Sequence, residues 1–372
     1  MGLARIVFLV GMTLAAGLCP CVCRAQNPSV GGPVTRTRAE IESLIEKVGK
    51  TPPDWWDATP LTYPPTLDLD WPMRADGPWD ARKNVGQYIW DVINPNPGRW
   101  KEGIKLVNYL MIRHKNDEEK LIRSMETLGH MYHNLMEDWA RAAFWWRTCD
   151  RYGGYVDLVS LAHCYGKLGS KDMAVEVLSE IGSDYTRHGV VIKLWADLGE
   201  FDKALALAKQ KAADGMPTIA YLTAGDTCRL AGRYKEALAY YQRVLTAAGD
   251  TGREGDVKKD RERAQASIQA IKLFDTLDVA QVADGVYTAD SIAYAGPLYV
   301  EVTVKGGRIE SVRVTRHQEK QFYSALTDTP GQIVQKQGVK GVDAVTGATM
   351  TSEAIINATA KALADGMQRK AK

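Results

Sequence analysis

Between about Trp100 and Asp275 apolar positions recur at helical spacing, in register from one helix to the next. Leu128-Gly-x-x-Tyr132, Leu161-Ala-x-x-Tyr165, Val191-Ile-x-x-Trp195 and Ala224-Gly-x-x-Cys228 follow one another at spacings of 33, 30 and 33 residues. Some thirteen residues after each stands a small one: Ala142, Ala174, Ala204 or Ala237. A bulky face on one helix and alanine where the second crosses it permit close packing, so the pattern predicts stacked helix pairs, an all-α solenoid over 101–275. Ala264, Ile268 and Ile271 continue the period behind the charged run Lys258-Lys-Asp-Arg-Glu-Arg263, which predicts a solvated helix capping the stack.

Over about the last ninety residues the period changes. Leu298-Tyr-Val300-Glu-Val302-Thr-Val304 alternates strictly, Lys305-Gly306-Gly307 is a turn, and Ile309-Glu-Ser-Val312-Arg-Val314 returns: a β-hairpin. Pro330–Gln337 then reads as a short helix, and Ile356, Ala360, Leu363 and Met367 mark one face of an amphipathic helix. The fold class is multidomain, a solenoid followed by a small α+β domain over 277–372. Residues 26–100 differ from both. After one helix near Arg38–Val48, prolines from Pro52 to Pro97 forbid long helices and central strands, while Trp55, Trp56, Trp71, Trp79, Trp90 and Trp100 are not the composition of disorder. An extended segment held on the helical domain by its indoles is expected.

With 372 residues and 45% hydrophobic content, the chain can bury more than one core. A formal net charge of +2 and the lack of a basic stripe argue against a nucleic-acid partner. Arg5, the apolar run Ile6–Leu18 and Cys23-Arg24-Ala25 have the order of a cleavable signal over 1–25, predicting an exported, periplasmic protein beginning at Gln26. An uncleaved N-terminal membrane anchor is the alternative. Cys149, Cys164 and Cys228 are too few and too scattered for a disulfide framework and are expected as buried free thiols.

The chemistry concentrates in Asp343-Ala-Val-Thr346-Gly347-Ala348-Thr349-Met-Thr351-Ser352, a small-residue turn ahead of a helix. A threonine hydroxyl needs a neighbouring base to act as nucleophile, and these ten residues hold no His, Lys or Cys. Thr349 is therefore a modification site rather than a catalytic residue, with a helix N-terminus behind it that favours a phosphate. Asp343-x-x-Thr346-Gly347-Ala348-Thr349 followed by Thr351-Ser352 resembles the covalent FMN-binding domain of sodium-translocating NADH:quinone reductases and Rnf-type complexes. The resemblance implies that a flavin transferase moves FMN from FAD onto Thr349 through a phosphoester, with the other motif residues binding the cofactor. His317-Gln-Glu319 resembles the His-x-Glu closing the corresponding strand in that family, which then continues Thr-Pro-Gly where this chain reads Lys320-Gln-Phe-Tyr323. Gly199-Glu-Phe201-Asp-Lys-Ala204 and Gly232-Arg-Tyr234-Lys-Glu-Ala237 resemble the interhelix turn of tetratricopeptide repeats.

His130, His133 and Glu137 share a helix face, with His163 the other candidate nearby, but this set falls short of a metal site. No Gly-x-Gly-x-x-Gly follows a strand, so the chain lacks a dinucleotide-binding domain of its own. The leading expectation is an exported flavoprotein passing electrons between partner proteins, one of them conceivably membrane-bound, with the inner face of the solenoid as the docking surface. A peptide-binding scaffold with a structural or unloaded flavin domain, and a flavin-dependent reductase subunit, are the rivals. By sequence, residues 277–372 carry everything needed for loading.

Overall fold

The computed structural model describes residues 35–71, 78–181, 189–251 and 253–370. The expected signal and its expected cleavage site lie outside them. Helix α1 (Arg38–Lys50) opens with a capping box, Thr37 and Glu40 satisfying each other's backbone N–H groups. Among its described residues the proline-rich stretch holds the four-residue α2 (Val85–Tyr88), which continues as a π-helical turn over Ile89–Ile93, a 3-10 turn over Pro97–Arg99 and irregular turns. Trp71 is fully buried, and Trp55, Trp56 and Trp100 pack against the same core, as expected of anchoring indoles. Trp79 and Trp90 do not follow that expectation: they are 59% and 42% exposed.

Helices α3 (Trp100–Arg113), α4 (Glu118–Asn134), α5 (Trp139–Arg151), α6 (Leu158–Leu168), α7 (Lys171–Glu180), α8 (Gly189–Asp197), α9 (Phe201–Ala213), α10 (Pro217–Leu230) and α11 (Tyr234–Thr246) form the solenoid. The pairs α4/α5, α6/α7, α8/α9 and α10/α11 carry the repeats, and all four signature alanines are fully buried. In the first and last pairs the second motif residue is glycine for a steric reason. A Cβ on Gly129 would lie 2.8 Å from the Trp146 ring, and one on Gly225 2.5 Å from the Tyr241 ring, each ring coming from the crossing helix. Asp117, Asp138, Asp157 and Ser170 cap α4 to α7 by accepting a backbone N–H three residues on. Cys149, Cys164 and Cys228 are free and buried, their thiols pushed up by burial, Cys149 to about 12 and Cys228 to about 11.

Helix α12 (Glu254–Leu273) departs from the solvated cap. Asp260 is fully buried and bonded to Arg253 and Arg263, and Arg263 also donates to the Ala293 carbonyl at 3.1 Å. The charge run hid this because pairing, not solvent, neutralises its inward members.

Strands β1 (Gly285–Ile292), β2 (Pro297–Lys305) and β3 (Arg308–Arg316) form an antiparallel sheet in that order, with Gly285 opposite Val304 and Val302 opposite Val312. The predicted hairpin is β2–β3, and Tyr287, Leu298, Val300, Val302, Val304 and Ile309 line its core face. Helix α13 (Ala325–Lys336) packs on β3 and starts five residues before Pro330. Its first turn is set from outside the segment, since Ser324 donates through N–H and hydroxyl to Glu137 at 3.1 and 2.6 Å. Helix α14 (Thr349–Lys370) lies between the sheet, α13 and α12, so every residue from Thr351 to Ala360 is buried and the expected polar face is confined to the second half, at Lys361, Asp365 and Gln368. One apolar cluster runs from Ile219 on α10 through Ile271 on α12 to Val302 and Leu363, and residues from Thr35 onward form one compact unit. No helix among the described residues is long and apolar enough to cross a membrane.

Candidate functional site

The loop 343–348 is the last part of the connection from α13, which ends at Lys336, to Thr349, the first residue of α14. Gln332 on α13 holds its start, accepting the Asp343 N–H at 3.0 Å and donating to the Asp343 carbonyl at 3.3 Å, while the Asp343 side chain is exposed. The Val345 N–H donates to the Ser352 hydroxyl oxygen at 3.0 Å, tying the loop to the first turn of α14. Gly347 adopts φ +84°, a left-handed conformation that favours glycine, and a Cβ there would also lie 2.8 Å from the Phe322 ring. The space over Gly347 is thus taken by a side chain of this domain. Phe322 forms a small cluster with Ala325 and the buried Ala348.

The four hydroxyls of the motif differ sharply. Thr346, Thr351 and Ser352 are buried, 6%, 3% and 0% exposed, and the hydroxyls of Thr346 and Ser352 are both hydrogen-bonded. Thr349 is half-buried, and its side chain has no hydrogen-bond partner among the described residues. It stands where the first N–H groups of a 22-residue helix have no intrahelical acceptor. A free hydroxyl there, beside the positive end of the helix, fits attachment of a phosphate group.

The solenoid reaches this loop directly, which sequence reasoning missed. Thr346 donates to Asp197 at the end of α8, at 2.5 Å. Lys193, one turn earlier and 2% exposed, pairs with Asp197 and donates to the Ala344 carbonyl at 3.4 Å. Burial pushes the Asp197 carboxyl up, and Lys193 and Thr346 pull it back toward the charged form. Below the loop, Arg229 on α10 pairs with Glu353 and donates to Asn357 at 3.0 Å, and Asn357 donates to Ser267 on α12 at 3.2 Å. Tyr241 donates to Asp226 at 2.6 Å in the same network. Burial pushes Glu353 up to about 7 and Asp226 to about 6. The sequence signals were a Glu in an otherwise apolar helix and a Lys–Asp pair one turn apart on an inward helix.

His317 and Glu319 sit apart from the loop. Glu319 is buried and accepts the Ala295 N–H at 3.1 Å, the His317 ring lies edge-on to Tyr323, and neither shares a hydrogen bond with residues 343–352. The segment where the chain departs from Thr-Pro-Gly clasps the solenoid and the proline-rich segment before it instead. Phe322 N–H donates to the Asn134 carbonyl at 2.7 Å, Lys320 pairs with Asp91 at 2.9 Å, and Tyr323 donates to the Pro95 carbonyl at 3.1 Å. His133 and His163 do converge, ring nitrogens 3.0 Å apart, but Glu137 turns away to Ser324. The C-terminal domain therefore meets the solenoid at Asn134, Glu137, Lys193, Asp197 and Arg229.

Residues 293–364 match the FMN-binding domain family, and residues 220–255, spanning α10 and α11, match the tetratricopeptide repeat. An uncharacterized protein of Treponema pallidum (strain Nichols) is 42% identical over 86 residues, 23% of this chain and 24% of that protein. The chain spans about a quarter of the length of the curated relative it matches. No solved structure matches it. The C-terminal domain is an FMN-binding domain, and tetratricopeptide repeats precede it.

Proposed function

We propose that this is an exported flavoprotein that carries FMN through a phosphoester to Thr349 and passes electrons between partner proteins. One observation carries the attachment site: of the four hydroxyls in the motif, Thr349 alone is both half-exposed and without a hydrogen-bond partner. FMN supplies the redox chemistry when bound. The chain's residues would hold and orient it: the free N–H groups at the start of α14 would bind its phosphate, Gly347 and Phe322 set the path of the loop, and Asp343 and Ser352 mark the ends of that loop.

In the scaffold reading a peptide would share the solenoid with the C-terminal domain, which already bonds to it at Asn134, Glu137, Asp197 and Arg229. Export rests on the N-terminal apolar run alone and is tested by sequencing the mature N-terminus. Co-expression with a flavin transferase, followed by intact-mass measurement, tests the attachment. We expect a mass gain of one FMN that survives acid precipitation, is partly kept in Thr349→Ser and is lost in Thr349→Ala. Label in the alanine variant at equal yield would move the site to another hydroxyl.

A further inference from the structure

We infer that the solenoid completes the acceptor site: Lys193 and Asp197 on α8 are positioning residues for attachment of FMN at Thr349, so loading depends on the helical repeats. The inference rests on the covalent reading above and goes beyond it, because those residues lie outside the segment that matches the FMN-binding domain.

The loop is anchored at its ends by its own domain, through Gln332 to Asp343 and Ser352 to Val345. Its middle is not. The Thr346 side chain and the Ala344 carbonyl are held only by Asp197 and Lys193, and Phe322, which presses on Gly347, is itself pinned to the Asn134 carbonyl of the solenoid. Lys193 is buried and Asp197 partly so, and each left alone would be a charge without its partner. That gives the pair one arrangement rather than many. Thr346 is three residues before the acceptor, and the turn between them is the left-handed one at Gly347. Fixing Thr346 thus fixes where the Thr349 hydroxyl points.

Position matters for this step. The Thr349 oxygen attacks the phosphorus on the FMN side of the FAD pyrophosphate, an O–P bond forms, the P–O bond to AMP breaks, and AMP departs with the electron pair. The hydroxyl proton passes to a base of the transferase. An ångström of misplacement of a reacting atom costs on the order of a hundredfold in rate. A loop freed at Thr346 should therefore load slowly although its hydroxyl is intact.

The test is the initial rate of mass gain of full-length protein incubated with FAD and a purified flavin transferase, followed by intact mass. Asp197→Ala, Lys193→Met, Thr346→Val and the double variant Asp197→Ala/Thr346→Val are compared with Asn357→Ala, which loosens the same interface away from the loop. We expect each loop-directed variant to load about tenfold or more slowly, with Asp197→Asn in between because its amide oxygen still accepts from Thr346. The double variant should be no slower than either single, since both remove one contact. Asn357→Ala should load at close to the wild-type rate at a comparable loss of thermal stability. Loading of Asp197→Ala within about twofold of wild type, multiplying effects in the double variant, or an equal slowing by Asn357→Ala would each overturn the positioning role. If Asp197→Ala does not fold, Thr346→Val against Asn357→Ala decides the question. Wild-type protein that takes up no FMN, or Thr349→Ala that does, overturns the covalent reading instead.

Discussion

At the scale of single residues, the loop depends on a glycine that two separate demands select. Gly347 needs its left-handed backbone, which costs another residue about 1–2 kcal/mol, and it needs room for the Phe322 ring, where overpacking costs about 1–3 kcal/mol more. Gly347→Ala should lower stability by about 2–5 kcal/mol in urea denaturation. Adding Phe322→Leu should recover the steric share only, leaving about 1–2 kcal/mol from the backbone. Full recovery would mean that the backbone conformation relaxes freely. Phe322 at φ +52° and Glu137 at φ +51° are themselves left-handed non-glycine residues, and they face each other across the clasp through Ser324. Each costs about 1–3 kcal/mol, held in place by the contacts around it.

Between elements, α4 and α6 meet at His133 and His163, set edge to face and flanked by Trp139 and Phe322. Burial drives both imidazoles down, His133 to about 4. The folded state therefore resists protons that the unfolded chain takes up near pH 6.5. The pair's contribution is whole above that pH and is lost as pH falls toward 4. Asp226 and Glu353 run the other way: their raised carboxyls favour the folded state at low pH, and that contribution is lost as pH rises toward 6 and 7. The difference in denaturation midpoint between wild type and His163→Gln isolates the histidines. It should shift in favour of the variant as pH drops from 6.5 to 4. A difference that stays flat over this range would mean the pair is not buried neutral.

For the whole molecule, the continuous core from α10 through α12 to the sheet and α14 argues for a single cooperative unit. Calorimetry of the full chain should give one unfolding transition with equal calorimetric and van't Hoff enthalpies. Two separated transitions would mean that solenoid and FMN-binding domain fold independently. A fragment of residues 277–372 would expose the face of α14 that bears Glu353 and Asn357, stripped of Arg229 and Ser267. We expect it to be poorly folded and slow to load, with amide exchange in α14 faster than in the full chain.

The elements themselves were legible because each follows from short-range chemistry. The spacing of Leu128, Leu161, Val191 and Ala224 and the buried alanines report how two helices of one repeat cross, and the alternation from Leu298 to Val304 reports one half-buried strand. Asp343 to Ser352 could likewise be located, because its glycine and hydroxyls lie within ten residues of chain. Which of those hydroxyls stays free depends on partners more than a hundred positions away. Asp197 takes Thr346 and the 134–137 turn sets where α13 begins, while Phe322, nearer in the chain, takes the space over Gly347. The charges of α12 and the expected polar face of α14 were misread for the same reason. Hydropathy records whether a side chain suits water, and only the packed structure decides whether a neighbouring helix arrives to replace that water with an opposite charge.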